Sequence, residues 1–153
     1  MDVIYVTRSP AFAAATGAKT LLKLITPTTF HIKIFEIGVS MDGVTATAVP
    51  ATLEWGTSDE TTAGTSADTA VTTQIKGRAQ AHGITAGNSF TAEGSTYTIH
   101  SGIYVPQFMG SIVLQNPLGV EPESPGDAAD SFLLRINTTA TVNVLSWIKW
   151  SRV

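Results

Sequence analysis

Three histidines, His31, His82 and His100, and four acids crowded into one loop, Glu121, Glu123, Asp127 and Asp130, are the groups here with most scope for chemistry. Imidazoles hold zinc when several ligands recur at short spacings, and no second His or Cys lies at such a spacing from any of the three. His31 and His100 alternate with apolar residues, which sets them on the outward side of strands and not around an ion. The acidic loop offers hard oxygens to a cation such as calcium, but its order does not follow a helix–loop–helix calcium motif and reads as a solvated loop. As a glycosidase pair, two of these acids would need a fixed separation across a cleft, and the loop fixes none.

Nucleophiles fare no better. Ser101 in HSGIY and Ser111 in GSI lack the G-x-S-x-G elbow, and the chain has no cysteine. The glycines of HGITAGN lack the strand–helix frame that a phosphate loop requires. Asn137-Thr138-Thr139 matches a glycosylation sequon, but without a secretion signal it reads as a turn. The expectation is a protein with no catalytic, metal or cofactor site, not an enzyme, whose work is to present a surface.

Composition points the same way. Of 153 residues, 14% are charged, well under the roughly 25% usual in soluble domains. Wide neutral surface suits a subunit that packs against neighbours. The net charge is −3, and the nine Lys and Arg are scattered singly, with no basic stripe for nucleic acid. The 23 threonines, set against three methionines, favour extended backbone over helix. Residues 2–7 begin with an acid and form too short an apolar run for a signal peptide, so synthesis in a cytoplasm is expected. No run reaches the length of a membrane span.

Eight apolar runs fenced by Gly, Pro, Asn or Thr-rich turns follow Gly17. They are residues 19–25, 30–39, 50–55, 69–75, 95–104, 110–115, 131–137 and 141–152. In the second, the alternation of Phe30, Ile32 and Ile34 slips by one before Ile37 and Val39, as at a β-bulge. In the last, Val142, Val144, Ile148 and Trp150 share one face and Leu145 and Trp147 the other, so both faces are expected to be covered. Residues 56–67 read as a polar hairpin or loop, 76–88 as a linker, and 116–130 as a long breaker-rich loop. The pattern predicts an all-β, two-sheet antiparallel sandwich over residues 18–153, of eight strands in a jelly roll. A seven-stranded immunoglobulin-like topology is the main alternative. Phe30, Trp55, Phe132 and Trp150 fit its core, while Trp147, Tyr104 and Phe108 fit core or rim.

Residues 1–17 stand apart, with an alternating run from Val3 to Thr7, a break at Pro10 and a small-residue stretch that could form one helical turn. They read as an edge strand, or as an arm that leaves the domain and adds to a neighbouring chain. Ile4, Tyr5, Val6 and Phe12 are the expected partner contacts, and removing residues 1–17 is expected to leave a folded domain.

Three segments, Phe35–Trp55, Gly77–Thr98 and Pro117–Trp150, carry a resemblance across most of the chain after residue 17. Their DGVTATAVP turn, PLGVEPESP loop and LRINTTATVNVLSWIKW ending resemble small structural proteins of tailed bacteriophages, in particular head decoration or cement proteins. The resemblance implies a virion component on the capsid exterior, a homo-oligomer (a trimer as first expectation), bound to the major capsid protein. It brings no catalytic motif. Relatives often carry cysteines where this chain has LEW and SWIKW, so it inherits no thiol role there. Rival expectations are a carbohydrate- or receptor-binding module of a head or tail fibre, and a tail or neck component.

Overall fold

The computed structural model describes residues 3–43, 47–58, 65–94, 96–108, 110–124 and 131–153. Among them the alternating runs become twelve strands and no helix. The strands are β1 (Ile4–Arg8), β2 (Phe12–Ala14), β3 (Gly17–Ile25), β4 (Ile32–Met41), β5 (Ala51–Ser58) and β6 (Thr65–Thr69). They continue with β7 (Val71–Lys76), β8 (Thr85–Ala92), β9 (Thr98–Val105), β10 (Ser111–Gln115), β11 (Ser131–Thr138) and β12 (Val142–Arg152).

These form two antiparallel sheets, the predicted sandwich. The first runs β10-β4-β12-β1-β7, with β2 also on β12; the second runs β6-β8-β3-β11-β5-β9. Most consecutive strands change sheet, as in a jelly roll: β3 to β4, β4 to β5, and each step from β9 to β12. Leu22, Leu24, Leu53, Phe132, Leu134 and Ile136 of the second sheet face Ile32, Ile34, Ile37, Val144, Ile148 and Trp150 of the first across one apolar core.

The phase slip in β4 is a bulge. Lys149 pairs with Glu36 and Trp150 with Ile34, so Phe35 is the extra residue, and Glu36 turns outward while Ile34 and Ile37 stay inward.

Five strands depart from the sequence expectation. The linker expected to end at Asn88 instead gives way at Thr85 to β8, because Ala86, Asn88 and Phe90 alternate inward despite their small or polar neighbours. Residues 69–75 do not make one strand: the chain changes sheet at Ala70, which separates β6 from β7 and donates its N–H to Ala86 O at 2.8 Å. The AFAAA stretch is β2, paired with Val142–Val144 and not helical. The outer face of β12 is only partly covered, since Leu145 is 45% exposed.

The largest difference concerns residues 1–17. β1 is neither an arm nor an edge strand; it lies between β12, with which it pairs in unbroken register, and β7, where the register slips once, at Ile75. The reason is alternation. Tyr5 and Thr7 point inward and are 1% and 0% exposed, with Tyr5 stacked on Trp150 at 4.6 Å between ring centroids. Tyr5 Oη donates to Gln80 O at 3.1 Å, and Trp150 Nε1 donates to Thr7 Oγ1 at 2.9 Å, so these buried polar atoms are satisfied. Deleting residues 1–17 would therefore uncover Trp150 and leave β7 without its neighbour. Tyr5→Ala is expected to cost about 3–5 kcal/mol, the range for emptying a buried aromatic site. Urea titration followed by circular dichroism checks this, and a midpoint unchanged from wild type would contradict it.

Candidate interaction surface

Strand register on the outer face of the first sheet gathers polar and apolar groups that the sequence keeps far apart. Register brings Gln115, Glu36 and Lys149 into one row across β10, β4 and β12, and Val113, Gly38 and Trp147 into the next. Lys149 Nζ lies 2.7 Å from Glu36 Oε1. Trp147 Nε1 donates to the same oxygen at 2.9 Å, and Gln115 Nε2 donates to Oε2 at 3.2 Å. Glu36 is only 8% exposed although it sits on an outer face, because Trp147 lies down along the sheet. Gly38 makes that possible: a Cβ there would fall inside the Trp147 ring.

Burial pushes the Glu36 carboxyl up, but the hydrogen bonds from Lys149, Trp147 and Gln115, with the Lys149 charge, outweigh it and hold the group below the ordinary carboxylate value. The carboxylate is thus fixed and charged before any partner arrives. Around it the face is mixed, with apolar groups set beside Thr73 and beside Arg8, which stands exposed between Trp147 and Val71. Ile4, Phe35, Ile75, Asn116 and Leu118 line a shallow groove with Glu36, Gln115 and Lys149, and Val71, Val113 and Leu145 stand exposed on the strands.

The four expected contact residues separate here. Ile4 and Val6 do lie on this face, half-buried, with Val6 beside Lys149 and Thr73. Tyr5 is in the core and cannot touch a partner in this fold. Phe12 is half-buried against the core from β2. Glu36, Lys149 and Gln115 carried no sequence signal, and Trp147 only that of a core or rim aromatic, since the four come together only through register between strands far apart in the chain.

The groups first weighed for chemistry do not converge. His31 is exposed next to β4, His82 packs edge-on to Tyr5, and His100 Nε2 lies 3.0 Å from Thr57 Oγ1. Glu123 pairs with Lys33 at 3.4 Å and Glu121 Oε2 accepts from Gly119 N–H at 2.7 Å, while Asp127 and Asp130 lie outside the described residues. Among the described residues no three His, Cys, Asp or Glu gather as metal ligands would. Ser101 and Ser111 are exposed on β9 and β10, and Asn137 is exposed on β11. Of the aromatics, Phe30, Phe132 and Trp150 are core, Trp55 packs against it half-buried, and Tyr104 and Phe108 are exposed.

Comparison with known proteins adds little. No family model matches this chain, and no curated protein does. A solved structure described as that of infectious bursal disease virus, Gx strain, aligns over 99% of this chain and 39% of its own at 14% identity and a TM-score of 0.17. A score so low carries no argument about either fold or function.

Two outcomes follow from the Glu36 network. Because the folded carboxyl binds its proton less tightly than the unfolded one, its contribution to stability is full above the unfolded value of about 4.3 and is lost as pH falls through the folded value. The gap between the urea midpoints of wild type and Glu36→Gln should therefore narrow progressively as pH falls below the ordinary carboxylate value of about 4.3; a gap that widens as pH falls would contradict this. Gly38→Ala should displace Trp147, destabilise by about 1–3 kcal/mol and shift its fluorescence, whereas an unchanged emission spectrum would show that the ring does not depend on that gap.

Proposed function

We propose that this chain is a non-enzymatic structural protein of a tailed-bacteriophage virion, a head decoration protein that binds the outside of the capsid shell. The observation that carries this reading is the outer face of the first sheet, a partly apolar surface built around a carboxylate already held by three donors. Contiguous exposed apolar surface on a soluble fold is where other proteins dock. A charge buried at an interface destabilises it unless partnered, and Glu36 already holds three donors within its own chain. Docking can then cover Glu36 without stranding its charge. The sequence resemblance to phage decoration proteins supplies the partner class, the major capsid protein, and the place, the exterior of a virion.

The mechanism is linkage. A protein that binds the assembled shell and not its dissociated subunits stabilises assembly, by about 2.7 kcal/mol per site at a free concentration a hundredfold above the dissociation constant. Binding needs no cofactor and no covalent step.

Mass spectrometry of purified virions should find the chain in stoichiometric proportion to the shell protein. Purified chain added to shells lacking it should co-sediment and raise their melting temperature, and Leu145→Glu with Ile75→Glu should weaken that binding at least about tenfold. Absence from virions together with no co-sedimentation would overturn the reading.

A further inference from the structure

The longest stretch of the chain without Asp, Glu, Lys or Arg runs from Gly94 to Val120, bounded by Glu93 and Glu121. It supplies in succession β9, the edge of the second sheet, and β10, the edge of the first. Both edges lie on one flank of the sandwich. Their inner neighbours are β5 and β4, and Gln107, between β9 and β10, is tied to the β4–β5 connection by bonds to Thr47 N and Val49 O, each 3.0 Å. Among the described residues, this flank is therefore open-edged and uncharged along β9 and β10, while beyond Asn116 the edge of β4 is taken by residues 122–124, with Glu123 paired to Lys33.

Natural proteins shield open edges with charges, prolines or bulges. β9 has a bulge, since His100 is skipped where Trp55 pairs with Ser101 and Gly56 with Ile99. β10 has none of these devices; it is neutral and pairs with β4 in unbroken register. Asn116 N–H donates to Phe35 O and Met41 N–H to Gly110 O, so by antiparallel alternation the N–H and C=O groups of Ser111, Val113 and Gln115 point away from β4. The opposite flank differs: β6 carries Asp68, β7 ends on Lys76, and Arg78 follows.

We propose that β10 is a self-pairing edge. Two copies meet flank to flank across a two-fold axis, β10 antiparallel to β10, and their first sheets merge into one. Centred on Val113, this register sets Val113 opposite its own copy and Ser111 opposite Gln115, so the open donors and acceptors meet in reciprocal pairs. Charge selects the occupant. A two-fold contact must suit itself, and a neutral edge meets its copy without repulsion. In a three-fold ring, the arrangement the sequence resemblance implied, each copy would set this flank against a different surface of the next. If that surface were the opposite flank, Asp68, Lys76 and Arg78 would face an edge with no charge to pair them. Exposed Phe108 and Leu118, at the two ends of β10, would gain cover in the two-fold pair. This inference does not depend on the virion reading, because it concerns only how copies meet.

Two variants test it in the full chain. Val113→Pro removes an outward N–H without touching the ladder to β4, and Val113→Lys sets like charges opposite one another on a side chain already 47% exposed. Sedimentation equilibrium should find a dimer for wild type and for the opposite-flank control Val71→Lys. Both Val113 variants should raise the dimer dissociation constant at least about tenfold with circular dichroism unchanged. If the proline variant fails to fold, the lysine variant alone decides. A wild-type chain monomeric at about 100 μM, a trimer, or a dimer indifferent to Val113→Lys overturns the proposal.

Discussion

The fold depends on one insertion: a strand from the start of the chain lies between its last strand and β7. Tyr5 stacked on Trp150 is the centre of that insertion, and both side chains are almost wholly removed from water. Thr7 bridges Trp150 and Thr72 through its hydroxyl, with Thr72 Oγ1 at 2.9 Å, so the three strands share polar as well as apolar contacts. Ser9 extends the tie, its hydroxyl 2.9 Å from that of Ser146 and its N–H on Ser146 O. Without β1 the first sheet would end at β12 and β7 would have nothing to pair with. Because these contacts join the two ends of the chain, the first sheet cannot be completed until almost all of the chain is present, a topology associated with slow folding.

The same register that closes the core organises the outer face. Once β4 carries its extra residue at Phe35, Glu36 is turned outward into the row of Lys149 and Gln115. An outward Glu would ordinarily be solvated; here Trp147 lies over Gly38 and shuts it in. Bulge, glycine and tryptophan are thus three parts of one device, and the surface proposed to meet a partner follows from the way the core is built. The edge strand β10 borders that face, so pairing through it would widen the surface and leave it uncovered.

How much of this the sequence made legible divides along physical lines. Local alternation marked the sandwich, most of its strands and the bulge in β4, since a period of two and a one-residue slip are properties of single segments. It failed at β8, where Gly87 and Asn88 hide a strand that only its neighbours β3 and β6 stabilise, and at Ala70, where nothing local signals a change of sheet. The first strand was read as an edge or an arm because a short apolar run separated by a proline looks the same whether it is paired on one side, on both or on neither. Of the interaction surface, Ile4 and Val6 were visible as apolar residues outside the main runs. The Glu36 network was not, because it joins residues 36, 115, 147 and 149 through register alone.

The central claim, that residues 4–8 are a fully paired interior strand, is tested most directly by native-state hydrogen exchange. It predicts that the Tyr5 and Thr7 amides exchange as slowly as those of Ile148 and Trp150, through the same global opening. Exchange of Tyr5 and Thr7 at the rate of an unprotected terminus, with β12 still protected, would contradict it and restore the view of this segment as a detachable arm.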